Sequence, residues 1–325
     1  MQILLLGTAA GGGVPQWNCN CTICREARIV KGRVRPRTQS SVAISANGEA
    51  WFLLNASPDI RSQIETTPAL RPHAKQLRGS PIEAVLLTNA DLDHTLGLLL
   101  MREGKSLFVH ATRAVQRSLT EGLSLAPVLA SFCRTEWIEA PLQIAPLLTR
   151  DGRRTGLIYQ GLTLAGRPPR FARKVTVEAE GGLEASAPGG EEPGLVEASA
   201  DVVGYRIIDE KTGGRLLFLP DVASIDERVM NLLTECDALL FDGTFWSENE
   251  MLERGVGSQP ASSMGHVPIS GDDGSLKALA ELRLKHKVYI HINNTNPILF
   301  EDSPEREAVM KAGCQVGMDG MEISI

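Results

Sequence analysis

Cys19, Cys21 and Cys24 stand in the pattern C-x-C-x-x-C, a spacing that can turn three soft thiolates onto one ion while a fourth ligand arrives from elsewhere. Zinc is the natural occupant. With three thiolates and no open position, the expected role is structural rather than catalytic. An iron–sulfur cluster would want four thiolates. Buried cysteines without a metal are the plainer alternative, although such cysteines seldom crowd into a glycine-rich loop.

A second constellation follows the apolar run Ala84 to Leu87, which ends abruptly in Asn89, Asp91, Asp93 and His94. Carboxylates and an imidazole at the C-terminal edge of a strand make half of a metal site for a borderline or hard ion. Taken alone, an acidic turn capping a helix explains them as well. The pattern recurs, however: Leu216 to Asp221, Leu239 to Asp242, Met264 to His266 and Val288 to His291 each deliver an Asp or His at a strand end or in a glycine turn. Several such edges facing one cleft would supply what a metal or an acid/base pair requires. His73, His110 and His286 lie outside the pattern and read as surface or packing residues. The glycines between Gly7 and Gly13 match neither G-x-G-x-x-G nor G-x-x-x-x-G-K-[ST], so they read as a tight turn rather than a phosphate loop.

The elements that must position these residues are short. Gln2 to Leu6, Ala50 to Leu54, Ala84 to Leu87, Leu107 to His110, Arg215 to Leu219 and Ala238 to Phe241 have the length and composition of buried strands. Between them lie helix-like stretches at Thr95 to Arg102, Ile225 to Leu233, Gly274 to Leu284 and Ser303 to Ala312, the last opening with Ser-Pro-Glu in N-cap order. Strands and helices interleave to the end, which indicates an α/β protein of one domain over 1–325. Residues 178–200 consist mainly of Gly, Glu, Ala, Ser and Pro and read as a disordered surface insertion, because they carry too little apolar surface to offset ordering entropy.

Composition narrows the function classes. With 43% hydrophobic and 22% charged residues over 325 positions, the chain can bury a core and has no membrane character. A net charge of -6 and a pI near 5.6 argue against nucleic acid, whose binding depends on neutralising phosphates. The start, Met1 to Gly7, lacks the basic region and cleavage site of a signal peptide, so a cytoplasmic protein with free thiols is expected.

The assembled residues resemble the coenzyme PQQ synthesis protein B family, which acts in making the redox cofactor pyrroloquinoline quinone (PQQ). The resemblance runs end to end apart from the insertion. It rests on Gly11 to Cys21, Arg37 to Val42, Asn55 to Arg61, Asp242 to Trp246, Met264 to Pro268, His291 to Pro297 and Asp319 to Met321. That family is similar to metallo-β-lactamase-fold proteins, an αββα sandwich of two mixed sheets flanked by helices, and to a phosphonate-pathway phosphodiesterase with the same cysteine loop. The superfamily motif H-x-H-x-D-H falls on Asn89, Asp91, Asp93 and His94, so two imidazoles are absent. Their loss hardens the site and disfavours a dinuclear zinc hydrolase.

The resemblance implies one metal held by Asp93 and His94 with Asp91, joined by Asp221 and His266, close to the two-histidine, one-carboxylate arrangement of iron(II) oxygenases. It implies hydroxylation of a tyrosine-derived ring already cross-linked to glutamate, with a small-molecule or short-peptide-derived PQQ precursor as substrate and other enzymes of the pathway as partners. Catalytic Fe2+, with Zn2+ as the alternative, would then stand beside a structural Zn2+ at Cys19, Cys21 and Cys24. Asp91, Asp93, His94 and His266 form the expected catalytic set, with His266 as ligand or proton donor. Arg61 or Arg102 could clamp substrate carboxylates. His291 either completes the cysteine site or faces the catalytic metal; Asn294, at the phosphodiesterase's zinc-histidine position, tilts it toward the cysteines. Two other functions stay open: a zinc-dependent hydrolase, and a carrier of PQQ or its precursor.

Overall fold

Apolar runs without polar alternation become strands buried on both faces. In the computed structural model, which describes residues 1–104, 106–172 and 200–325, Ile3 and Leu5 point into one core while Leu4 and Leu6 point into another. Leu216 and Phe218 likewise face inward and Leu217 and Leu219 outward. This period of two on a wholly apolar run is the signature of a strand sandwiched between layers.

The first sheet runs in the order β14-β1-β2-β3-β4-β5-β6, with β1 Gln2–Gly7, β2 Ser41–Ser45, β3 Trp51–Leu54, β4 Ile82–Leu86, β5 Ser106–Ala111, β6 Arg134–Glu139 and β14 Glu322–Ser324. The second runs β13-β12-β11-β10-β9-β8-β7, with β7 Ala145–Leu148, β8 Arg154–Thr163, β9 Val203–Asp209, β10 Arg215–Leu219, β11 Ala238–Asp242, β12 His286–Ile290 and β13 Gln315–Val316. Both sheets are mixed: β3 to β6 are parallel, as are β10 to β13, and antiparallel pairs complete each sheet. The inner faces pack on each other around Phe52, Leu86, Tyr205, Phe218, Leu240 and Ile290. Outside them, Ile60, Leu98 and Val115 cover the first sheet and Val229, Leu279 and Val309 the second. This is the expected αββα sandwich.

Two hydrogen bonds stitch the sheets together where β4 ends. The Tyr205 hydroxyl donates to the Leu87 carbonyl at 2.9 Å, and the Val203 amide donates to the Thr88 carbonyl at 2.8 Å.

Helices are shorter than the sequence suggests. The stretch Thr95 to Arg102 forms two single turns, Leu92–Thr95 and Gly97–Leu100, because the Gly97 amide leaves the helical ladder to donate to the Ala56 carbonyl at 2.9 Å. A Cβ on Gly97 would meet the Ser57 carbonyl oxygen at 2.3 Å. Two other expected helices run Glu227–Leu233, capped by Asp226, and Ser275–Ala280. Helix Pro304–Lys311 begins as expected, with the Ser303 side chain accepting from the Arg306 amide. Apart from Ala200, the insertion expected over 178–200 lies outside the described residues. No helix among the described residues is long and apolar enough to cross a membrane.

Candidate metal centre

The parallel strands bring their C-terminal ends to one edge, where side chains leaving the ladder are free to converge. From the first sheet β4 delivers Thr88 to His94; from the second, β10 delivers Asp221, β11 Asp242 and Thr244, and β12 His291. His266 arrives on the loop after β11. Two overlapping groups result: Asp93, His94 and His291, and Asp221, His266 and His291, each offering ligand atoms within 4.8 Å of one another.

The orientation of His94 follows from its partners. The Asn89 side chain donates through Nδ2 to Asp221 Oδ2 at 3.1 Å and accepts through Oδ1 from the Asp91 amide at 3.0 Å, which fixes its oxygen. His94 Nδ1, 2.9 Å from that same oxygen, must therefore be the donor, which leaves Nε2 as the nitrogen that can face an ion. Nε2 is fully buried with no hydrogen-bond partner and lies 3.8 Å from Asp93 Oδ2. An orphaned imidazole nitrogen beside a carboxylate suits a cation, since a buried polar atom without a partner is otherwise costly.

His266 is held the same way by a different residue. Its Nδ1 lies 2.7 Å from Asp242 Oδ2, and Asp242 is anchored by the Val222 and Thr244 amides. Such a carboxylate–imidazole pair turns the other ring nitrogen outward as a ligand. His291 Nε2 is 3.1 Å from Asp93 Oδ2, and its Nδ1 is 2.8 Å from the Thr244 hydroxyl.

The charges show what the cleft is built to hold. Burial alone would lower the pKa of His291, but Asp221, Asp93 and Asp242 raise it to about 10. Burial likewise opposes the charge on Asp93, yet His94 and His291 hold it well below the usual carboxylate range. Asp91 is pushed up to about 6 by burial, with Asp93 and Asp221 adding to the shift. The cleft stabilises positive charge at its centre. A divalent ion with nitrogen and oxygen ligands fits this donor set.

Asp91 stands on the wall of a cavity of about 670 Å³ that opens onto Asn89, Asp221 and His266 and belongs to neither ligand group. Arg167 and Arg170 line the same cavity, with Arg170 donating to the Gln259 side chain at 3.2 Å. Arg61 and Arg102, the expected carboxylate clamps, do not line it. Arg61 is exposed on helix Ile60–Thr66, and Arg102 is turned to the Leu99 carbonyl, Glu103 and the Phe132 ring. The reason is topological: both arginines sit on elements covering the outer face of the first sheet. Arg167 and Arg170 gave no sequence signal, because they follow β8 in a loop whose nearness to the strand ends depends on the sandwich.

The three cysteines form a separate group, with sulfurs within 4.8 Å of one another. Cys21 caps helix Thr22–Ala27 by accepting from the Cys24 amide at 3.4 Å, and Cys24 Sγ accepts from the Gln16 amide at 3.4 Å. Burial pushes the Cys21 thiol up to about 11, while for Cys19 hydrogen bonds from its neighbours outweigh burial and lower the pKa. His291 does not reach this group. Asn294 does, donating through Nδ2 to Cys24 Sγ at 3.2 Å. The tilt of His291 toward the cysteines is therefore corrected: β12 ends at the carboxylates, and three further residues are needed to reach the sulfurs. The glycine turn threads between the groups, with Gly12 and Gly13 at φ +94° and +71° and Gly11 packed on Asp93.

Comparison with known proteins agrees with this architecture. A beta-lactamase superfamily domain model matches residues 50–292. Coenzyme PQQ synthesis protein B of Methylobacterium nodulans is 41% identical over the full length of both chains. A crystal structure of Zn(2+)-bound PqqB from Methylobacterium extorquens is 38% identical and superposes over all of both chains with a TM-score of 0.85. A diphosphatase of the PhnP family shares the fold at 20% identity, with a TM-score of 0.64 over the whole of this chain and 97% of its own. With full-length identity near two in five and a fold that superposes over the whole chain, the chain belongs to the coenzyme PQQ synthesis protein B family of the beta-lactamase superfamily.

Proposed function

We propose that this protein acts in PQQ biosynthesis as an iron(II)-dependent hydroxylase of a tyrosine-derived, glutamate-cross-linked precursor. One observation carries the reading: two histidines and one carboxylate, Asp93, His94 and His291, gather at the strand ends and share His291 with a second such group, Asp221 and His266, which lines an open cavity. A set of this kind leaves positions free on an ion, and iron(II) so held supplies oxygen activation. Zinc is the occupant we assign to the three thiolates.

The chain's own residues supply orientation and charge. Asn89 fixes the His94 tautomer, Asp242 aims His266, and Thr244 steadies His291. Asp91, facing the cavity, is placed to hold a proton near the reacting ring. Arg167 and Arg170 bring fixed positive charge to the carboxylates of a substrate reaching the strand ends. Insertion of one oxygen atom into a C–H bond sends the second to water and consumes two electrons and two protons, which an added reductant must provide. Asn89 and Asp91, where the related hydrolases carry imidazoles, weigh against a two-zinc hydrolase.

The test is anaerobic loading with iron(II) or zinc, followed by oxygen uptake on a glutamate–tyrosine-derived substrate with ascorbate as reductant. Iron-specific uptake with a product about 16 mass units heavier, one oxygen atom, is expected. Turnover of a phosphodiester with zinc and no oxygen would replace the reading by hydrolysis. Tight precursor binding without oxygen uptake, unchanged in Asp93→Ala, would replace it by a carrier.

A further inference from the structure

The turn 291–296 touches both groups of candidate ligands. At its start stands His291, shared by the two imidazole–carboxylate sets. Three residues on, the Asn294 Nδ2 donates to Cys24 Sγ at 3.2 Å, a contact that a thiolate strengthens, while its backbone carbonyl accepts from the Cys21 thiol at 3.6 Å, a bond given up once Cys21 binds an ion as thiolate.

The backbone between them is under constraint. His291 has φ +54°, a left-handed conformation that a residue with a Cβ keeps only where its surroundings enforce it. From the β11 side, the Thr244 hydroxyl donates to the His291 carbonyl at 2.9 Å and the Asn296 side chain donates to the Gly243 carbonyl at 2.9 Å. From the cysteine side, the loop that leads to Cys19 pairs with Ile292, whose amide donates to the Thr8 carbonyl at 2.9 Å and whose carbonyl accepts from the Ala10 amide at 3.0 Å. Asn294 is the brace whose acceptor is a sulfur of the candidate zinc group. Three thiolates clasped on one ion have fixed positions; three neighbouring thiols do not.

We propose that the cysteine centre controls the cleft through this turn, with Asn294 as the positioning residue: a zinc ion on Cys19, Cys21 and Cys24 locks Asn294, and with it the setting of His291. The inference rests on the reading above that both groups hold metals. Coupling between two binding sites is reciprocal, so filling the cysteines tightens the cleft and filling the cleft tightens the cysteines. A change of about tenfold in affinity lies within the usual range for such coupling.

The test uses the full chain under anaerobic, thiol-reducing conditions. Iron(II) is titrated calorimetrically into zinc-loaded and zinc-stripped protein, and thiolate-to-iron charge-transfer absorption reports any iron that enters the cysteines. We expect cleft affinity to fall about tenfold on stripping, and Asn294→Ala to show the same fall while metal analysis finds its zinc retained. Cobalt(II) placed in the cleft should show a shifted ligand-field spectrum in Asn294→Ala. Asn294→His, whose imidazole can ligate zinc, should recover affinity only when zinc is present. Equal affinities with and without zinc, or a wild-type cleft in Asn294→Ala, would overturn the inference. Should Asn294→Ala fail to fold by circular dichroism, the comparison of loaded and stripped wild type decides alone. If wild-type protein takes up no second metal, the reading of the cleft falls and this inference with it, whereas uptake at unchanged affinity removes the coupling alone.

Discussion

Asn89 does its work through geometry rather than ligation. Its amide, locked between Asp221 and the Asp91 amide, decides which nitrogen of His94 carries a proton. Replacing it by Asp would put two carboxylates side by side and remove the donor to Asp221; Asn89→Ala would free the ring. We expect Asn89→Ala to weaken iron(II) binding about 10- to 100-fold, the usual cost of losing a residue that orients a ligand, read by anaerobic titration with the fold checked by circular dichroism. At the rim, Arg167→Ala and Arg170→Ala should raise KM for a carboxylate-bearing substrate more than they lower kcat, because they act on binding remote from the reacting ring. Most polar residues of the cleft were legible in the sequence as Asp or His after an apolar run, but their partners were not: Asn89 reads as a lost histidine until its hydrogen bonds are seen, and nothing near Arg167 announces a cavity. Glu250 is another residue that only the structure brings forward. It is buried, accepting from the Trp246 amide at 2.6 Å and from the Thr295 hydroxyl, and burial pushes its pKa up to about 7 despite those donors. An acid whose pKa is higher folded than unfolded holds its proton better in the native state, so its contribution is full at low pH and is lost as pH rises from about 4.5 through about 7. Glu250→Gln removes the charge and keeps one acceptor oxygen for the Trp246 amide, with its Nε2 turned to donate to the Thr295 hydroxyl as the protonated acid can. We therefore expect the variant to gain on wild type across that window, by roughly 3 kcal/mol at most at neutral pH, in denaturant titrations at a series of pH values.

At the level of elements, the apolar strands were readable, and so were the helices within Ile225 to Leu233, Gly274 to Leu284 and Ser303 to Ala312; the stretch Thr95 to Arg102 was not. A run such as Leu216 to Leu219 is apolar at every position, and a strand buried on both faces demands that. The stretch Leu96 to Leu100 is equally apolar, and nothing in its composition shows that the Gly97 amide turns out to meet Ala56. That contact splits the helix and draws the His94 turn down onto the loop after β3. The backbone there has no room to yield, so Gly97→Ala should cost about 1–3 kcal/mol as an overpacked site, seen in a lowered urea midpoint. The same displacement should loosen iron(II) at His94, a loss that a variant on an open turn such as Gly152→Ala, with nothing within 4 Å of its added carbon, would not share.

Across the molecule, no sequence pattern says how two seven-stranded sheets face each other, and the site depends on it. Asp93 and His94 come from one sheet and Asp221, Asp242 and His291 from the other. Family resemblance supplied the sandwich; the local pattern supplied only the strand tips. The Tyr205 hydroxyl, reaching Leu87 across the interior at 2.9 Å, is one of the ties that hold the tips together. Tyr205→Phe should leave that carbonyl without a donor and cost about 1–3 kcal/mol, measured by equilibrium unfolding. Because the ion's would-be ligands are divided between halves that touch through an oily interior, the thickness of that interior works as a gauge for the coordination sphere. A side chain enlarged at Leu216, well away from any ligand, would act as a wedge, and its effect would surface at the mouth of the cleft as slack in the grip on the metal.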